Sequence, residues 1–139
     1  TMEVCEAIDK VLNCRIYKNL FLCNRQQTAF YLLMMPGDKP FKTKELSAQI
    51  GSARLSFAPA EKMVEYLGLY PGSVSVMGLM NDNEHRVQLL VDKDLFRDEY
   101  IGCHPCVNTS SLKLRRTDIF EIFLPEVKHN YLSVELHGE

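Results

Sequence analysis

The chain has 139 residues, of which 46% are hydrophobic and 24% are charged, and its formal net charge is −2. These values are typical of one soluble globular domain over residues 1–139, and they argue against a broad phosphate-binding surface while leaving room for a small basic patch. No apolar run is long enough to span a membrane, and the first residues lack the pattern of a signal peptide.

The first part of the chain predicts a helix followed by two paired strands. Apolar residues recur at helical spacing over residues 2–12, and an apolar strand follows at 16–23. A polar turn then leads to a second strand at 28–35, which favours an antiparallel hairpin. Lys18 lies near the head of the first strand. Its ammonium either stays in water at the sheet edge or lines the mouth of a pocket.

Short helices and strands alternate in the rest of the chain. Thr43 can cap a helix at 44–50, and Pro59 opens a second helix through residue 67; a glycine follows each. The other predicted elements are an extended piece at 54–57, strands at 87–91, 100–103 and 112–114, a helical turn at 93–97, a helix at 118–128 capped by Thr117, and an edge strand at 131–136. Together they predict an α+β fold with a mixed, mostly antiparallel sheet flanked by short helices.

A C-x-x-C motif at residues 103–106 is compatible with a redox site or a zinc site. Zinc needs a second ligand pair at suitable spacing, which the sequence lacks, and a redox motif of this kind opens a helix, whereas the residues after Cys106 are polar and lead to a strand. The five cysteines are odd in number and scattered, which predicts reduced thiols in a cytoplasmic protein. A thiol redox protein using Cys103 and Cys106 remains a weaker alternative.

Other catalytic signatures are missing from the sequence. Residues 81–84 resemble the start of a calcium loop but lack its glycine and closing glutamate, so they predict a turn. The sequence contains no phosphate-binding loop and no nucleophile elbow. We expect no metal and no other cofactor. An enzyme of this kind would therefore act through positioning and electrostatics.

Several stretches together resemble the prolyl-tRNA editing family of the YbaK/ProX type. They are KNLFL at 18–22, GSARLSFA at 51–58, PGSVS at 71–75, ND at 81–82, and the His104-Pro105 and Asn108-Thr109 pairs, in the family's order from about residue 1 to 129. The resemblance implies a metal-free cytoplasmic aminoacyl-tRNA deacylase, related to the editing domain inserted in bacterial prolyl-tRNA synthetases. Its partner would be the aminoacylated 3′ end of tRNA. The first stretch and His104-Pro105 are closer to the branch that removes alanine from proline tRNA than to the branch that removes cysteine.

The resemblance also implies site residues. Lys18 would stand in the catalytic site with Gly72 and Ser73, whose loop would offer backbone N–H groups to the terminal adenosine and the ester carbonyl. The substrate-binding candidates are Asn19, Val74, Ser75, Val76, His104, Asn108 and Thr109. Candidate contacts to tRNA phosphates are Lys39, Lys42, Lys44 and Arg54, although a solvated helix face explains the lysines equally well.

Some of these roles have structural alternatives. Asn19 either anchors the strand head or contacts substrate, and Asn108 and Thr109 can order the loop beneath His104. The sequence also departs from the family pattern, since Val76 stands where the glycine loop usually ends in proline. Family members usually begin with a further helix and strand, so we expect one edge of the fold or one wall of the cleft to be either missing or supplied differently. A module that binds the tRNA end without turnover is the chief alternative to an enzyme.

Overall fold

The computed structural model describes residues 15–69, 76–98, 100–103 and 112–138. The strands are β1 (Arg15–Cys23), β2 (Phe30–Pro36), β3 (Ser56–Phe57), β4 (Val87–Asp92), β5 (Tyr100–Cys103), β6 (Leu112–Arg115) and β7 (Tyr131–Val134). They form one seven-stranded sheet in the order β6-β5-β1-β2-β4-β7, with β3 paired to β1. The expected helix at 2–12 lies outside the described residues.

Short helical segments connect the strands. They are α1 (Thr43–Ile50), α2 (Ala60–Leu67), 3-10 helices at Val76–Asn81 and Lys93–Arg97, and a π-helical segment at Asp118–Phe123 that continues into α3 (Leu124–Glu126). The predicted α+β class with a mixed sheet is confirmed. A membrane-crossing helix, which must be long and apolar, is not found in the part of the chain that the structure describes.

The sheet mixes both strand directions. The hairpin of β1 and β2 is antiparallel, as predicted, and so are β1–β3 and β5–β6. The pairs β1–β5, β2–β4 and β4–β7 are parallel. Parallel pairing is therefore more frequent here than the sequence suggested. Crossovers that contain helices lead from β2 to β4 and from β4 to β7, and such crossovers return the chain in the same direction.

Helices cover both faces of the sheet. Tyr17 and Phe21 of β1 pack against α2 and the C-terminal helical segments, on what we call the α2 face. Leu20 and Leu22 point the other way, toward α1, on the α1 face. Because both faces are covered, β2 and β4 are buried along nearly their whole length, as their apolar sequences require.

The start of α2 after Pro59 and the ends of α1 and α2 at glycines follow the sequence, whereas the two predicted threonine caps do not. Gly51 and Gly68 adopt left-handed conformations with φ of 67° and 66°, where glycine is least strained. Thr43 does not cap α1, because its hydroxyl donates to the Leu55 carbonyl at 2.6 Å. Thr117 is also not a cap; its backbone is already helical, with φ −63° and ψ −31°. Both cap predictions were wrong.

The turn at residues 81–84 is confirmed, and its first two side chains hold neighbouring elements together. Asn81 Nδ2 donates to the carbonyl of Leu67 at 2.9 Å, at the end of α2. The buried Asp82 carboxylate accepts from two backbone N–H groups at the start of β4 and lies 3.0 Å from Nε2 of His129. These contacts explain an Asn-Asp pair here as a structural element.

Candidate functional site

Strand β1 has one edge that is paired continuously from residue 17 onward and one edge that is interrupted. Strand β2 pairs with residues 17–23 on one side. On the other side, β5 pairs with residues 15–17 and β3 with residues 22–23. Among the described residues, no strand pairs with residues 18–21 on this second edge. We call this interruption the sheet gap.

The backbone of Asn19 faces the sheet gap. Along a strand, the backbone N–H and C=O groups of alternate residues point to the same edge. The Phe21 carbonyl accepts from the N–H of Ala58 at 2.9 Å, on the side of β3, so Phe21 points to the interrupted edge. Asn19, two residues earlier, points the same way. Its backbone N–H and C=O therefore point into the gap, where no strand of the described residues pairs with them.

Lys18 is the first residue of the sheet gap. Its side chain is partly buried on the α1 face, and its ammonium donates to the Lys39 carbonyl at 2.7 Å. Burial lowers the pKa of Lys18, and the nearby Asp38 carboxylate acts in the opposite direction. An ammonium has three N–H donors. The bond to Lys39 fixes the group in place, and no other described residue accepts a hydrogen bond from it.

The side chain of Asn19 is buried without a hydrogen-bond partner. The residue is 7% exposed, and neither Nδ2 nor Oδ1 makes a hydrogen bond to any residue that the structure describes. A buried polar group left unpaired costs about 1–3 kcal/mol, so such groups are rare without a reason. The described residues supply no bond for an anchoring role of Asn19, and a polar ligand group could supply both partners, so both roles stay predictions.

Lys39 is a structural residue, which corrects its prediction as a phosphate contact. Its ammonium donates to Asp92 at 2.8 Å, to Asp94 at 2.9 Å and to the Leu136 carbonyl at 2.7 Å, so all three donors are used. Burial alone would lower the pKa of Lys39, but the bonds to the two carboxylates outweigh it and raise the pKa. No donor remains for a phosphate.

The other cationic candidates are exposed on one side of the molecule. Lys44 and Arg54 line a cavity of about 460 Å³ together with Thr43 and Ser47. Lys42 precedes α1 and is also exposed. Within residues 15–138 as described, none of these three cations forms an ion pair. Their role in binding phosphate stays a prediction.

Much of the predicted pocket lies outside the described residues. These residues are Gly72, Ser73, Val74, Ser75, His104, Asn108 and Thr109. Val76 opens the first 3-10 helix, and Cys103 ends β5, whereas Cys106 is also outside. Cys23 is a buried free thiol whose pKa is raised by burial. Groups of three or more potential metal ligands are not found in the described part of the chain.

The fold and this site define a class of protein: a small α+β domain in which, among the described residues, one edge of the central strand β1 is interrupted, with a fixed lysine at the interruption. The comparisons with known proteins make the class specific. The family model of the aminoacyl-tRNA editing domain matches residues 1–122. The chain belongs to this family, and the family membership predicted from the sequence is confirmed.

Individual relatives agree with this membership. The chain is 34% identical over 122 residues to the prolyl-tRNA editing protein ProX of Acetoanaerobium sticklandii, covering 88% of this chain and 74% of that protein. It is 30% identical over 116 residues to prolyl-tRNA synthetase associated domain-containing protein 1 of Danio rerio, covering 82% of this chain and 62% of that protein. A solved protein proposed as a trans-editing enzyme for prolyl-tRNA synthetase has the same fold, with a TM-score of 0.66 at 16% identity over 96% of this chain and 80% of that one.

Proposed function

We propose that this protein is a trans-editing deacylase that hydrolyses the ester between a wrong amino acid and the 3′ end of proline tRNA, and that alanine is the amino acid. Family membership over residues 1–122 and the 34% identity to a prolyl-tRNA editing protein support the reaction and the tRNA substrate. The choice of alanine rests on the resemblance of residues 18–22 and His104-Pro105 to the alanine branch. The protein would act in the cytoplasm, as one domain without a cofactor, and so protect translation fidelity.

The reaction places a defined demand on the site. The oxygen of water bonds to the ester carbonyl carbon, the bond from that carbon to the ribose oxygen breaks, and a proton from water ends on the ribose oxygen. Negative charge develops on the carbonyl oxygen on the way. A cation or N–H donor already fixed at that point stabilises this charge strongly, because the surroundings are partly shielded from water.

The position of the Lys18 ammonium is the observation that carries the proposal. It is a partly buried cation held by one hydrogen bond of 2.7 Å, at the first position of the sheet gap, in a chain of the editing family. Its remaining donors would hold the substrate and stabilise the charge on the ester oxygen. The loop of Gly72 and Ser73 would add backbone donors, and His104 would line the pocket of the amino acid.

Asn19 would act as a binding residue at the same gap, from the opposite α2 face of the sheet. Its side-chain amide has a donor and an acceptor without a partner among the described residues, and its backbone faces the sheet gap. A base edge or a ribose hydroxyl of the terminal adenosine offers matching groups. The remaining pocket residues of the proposal are Val74, Ser75, Val76, Asn108 and Thr109, while Lys42, Lys44 and Arg54 would contact phosphates.

A deacylation assay tests the proposal. Proline tRNA charged with radiolabelled alanine is mixed with catalytic amounts of protein, and released alanine is followed over time. We expect multiple turnovers, and we expect almost none with a folded Lys18→Ala variant. Tight binding of the charged tRNA with no release of alanine would overturn the proposal in favour of a non-catalytic binding module.

A further inference from the structure

An exposed aromatic side chain stands at the end of the sheet gap opposite Lys18. Phe57 of β3 is 64% exposed, although it pairs directly with the fully buried Leu22 of β1. Side chains of directly opposed residues lie on the same face of a sheet. Leu22 packs on the α1 face, as does Lys18 four residues earlier, so Phe57 and Lys18 are on the same face, separated by roughly 13 Å of strand.

The Phe57 ring is supported from one side and open on the other. The ring of Phe41 lies 5.9 Å away between centroids, and Phe41 itself packs against the α1-side core. A ring held in this way keeps its orientation while most of its surface remains accessible. This is the arrangement of a stacking platform, since a planar ligand can lie on a ring that is already positioned.

Three cations lie near this ring along the chain or beside its aromatic neighbour Phe41. Arg54 lies three residues before Phe57 in the chain, Lys42 follows Phe41, and Lys44 shares the 460 Å³ cavity with Arg54. Glu45, the carboxylate on this part of α1, is occupied, because it accepts from the backbone N–H groups of His137 and Gly138. This part of the chain therefore carries an exposed ring together with Lys42, Lys44 and Arg54, which form no ion pair with any described residue, and surfaces that bind single-stranded nucleic acid combine such groups.

We propose that Phe57 is a stacking residue for the unpaired 3′ end of the tRNA, holding a base just before the terminal adenosine. This inference rests on the proposed function, since it assumes that the ester lies beside Lys18. The rest of the RNA strand would then leave the sheet gap over β3. Phe57 is then a positioning residue. It orients the strand, with Arg54 and Lys44 at the phosphates, and it does not touch the reacting atoms.

Binding and kinetics of Phe57 variants test the inference. Fluorescence anisotropy measures binding of a short single-stranded RNA that ends in CCA, and single-turnover deacylation measures the KM and the maximal rate for alanine-charged tRNA. We expect Phe57→Ala to weaken RNA binding and raise KM by about 5- to 150-fold, the range for losing one base stack, with the maximal rate nearly unchanged. Phe57→Tyr keeps the ring and should retain binding.

Two controls separate stacking from other effects. Ile122 is also 64% exposed but lies on the C-terminal π-helical segment, which packs on the α2 face, so Ile122→Ala should change nothing. Alanyl-adenosine, an ester without the preceding nucleotides, should be hydrolysed equally by the native protein and Phe57→Ala. The inference would be overturned if Phe57→Ala lost as much activity on alanyl-adenosine as on alanine-charged tRNA. It would also be overturned if Phe57→Ala bound RNA as well as the native protein.

Two further outcomes are also decisive. If Phe57→Ala leaves RNA binding intact but converts a dimer to a monomer by light scattering, the ring is a contact between copies of the chain and the inference is wrong. If the native protein hydrolyses no ester, the proposed function fails. The RNA-binding comparison of Phe57→Ala with the native protein then still decides the stacking role by itself.

Discussion

Replacing Lys18 by alanine is expected to separate activity from stability. The ammonium would be the fixed cation nearest the ester, and loss of one such transition-state partner lowers the rate by about 10²- to 10³-fold, or about 2.7–4 kcal/mol. We therefore expect the single-turnover rate constant of Lys18→Ala to fall by roughly two orders of magnitude or more.

The stability of the same variant should change little. Lys18 contributes one hydrogen bond to a carbonyl, at 2.7 Å, but the lowered pKa of Lys18 indicates that partial burial of the charge opposes this gain. We expect the free energy of unfolding to change by no more than about 1 kcal/mol, which corresponds to a shift in the thermal midpoint of roughly 3 °C for a domain of this size.

The assay follows release of labelled alanine from proline tRNA with enzyme in excess, beside thermal unfolding by circular dichroism. Lys93→Ala is the matched control, because the Lys93 side chain is 59% exposed and its nearest carboxylate, on Glu135, is 3.9 Å away. This control should keep full activity. A folded Lys18→Ala protein that releases alanine at nearly the native rate would refute the role given to Lys18.

Other predictions follow from single features of the structure. Burial lowers the pKa of Lys18, so its ammonium loses its proton at a lower pH than an ordinary lysine does. The deacylation rate, after correction for spontaneous ester hydrolysis, should therefore begin to fall at that lower pH. The unfolded chain binds this proton more tightly, so the contribution of Lys18 to the free energy of unfolding should rise with pH over the same window, which denaturant titrations at several pH values would check. Lys39→Ala removes the lysine partner of the buried Asp92 carboxylate and should lower the free energy of unfolding by about 3–5 kcal/mol in urea titrations. Lys42→Ala should leave the free energy of unfolding unchanged. The protein with both Cys103 and Cys106 replaced by serine should retain most deacylase activity. Loss of the deacylase activity in this variant would favour the thiol redox alternative.

Local sequence signals predicted the elements well. The β1–β2 hairpin follows from two apolar runs with a polar turn between them, and the ends of α1 and α2 follow from Gly51 and Gly68. These signals act over a few residues, so the sequence carries them directly. The caps at Thr43 and Thr117 were wrong. The Thr43 hydroxyl donates instead to the carbonyl of Leu55, twelve residues further on, and no local sequence pattern indicates that this acceptor is near.

The site depends on contacts between distant parts of the chain. The sheet gap exists because β5 and β3, which come from separate regions, pair with β1 at its two ends. Lys39 resembled a phosphate ligand because its partners Asp92 and Leu136 lie 53 and 97 residues further on. Phe57 carried a usable signal, an aromatic residue close to Arg54, but its exposure depends on how β3 ends the gap.

We propose that this protein removes alanine from proline tRNA and refuses proline. A close-packed wall resists a larger side chain, whereas one methylene in a pocket is worth only about 1–3 kcal/mol, so exclusion by size favours removal of the smaller amino acid. The most direct measurement is the ratio of deacylation rates for alanine-charged and proline-charged proline tRNA under identical conditions. We predict a ratio far above one. If proline is released as fast as alanine, the proline-tRNA editing assignment is contradicted.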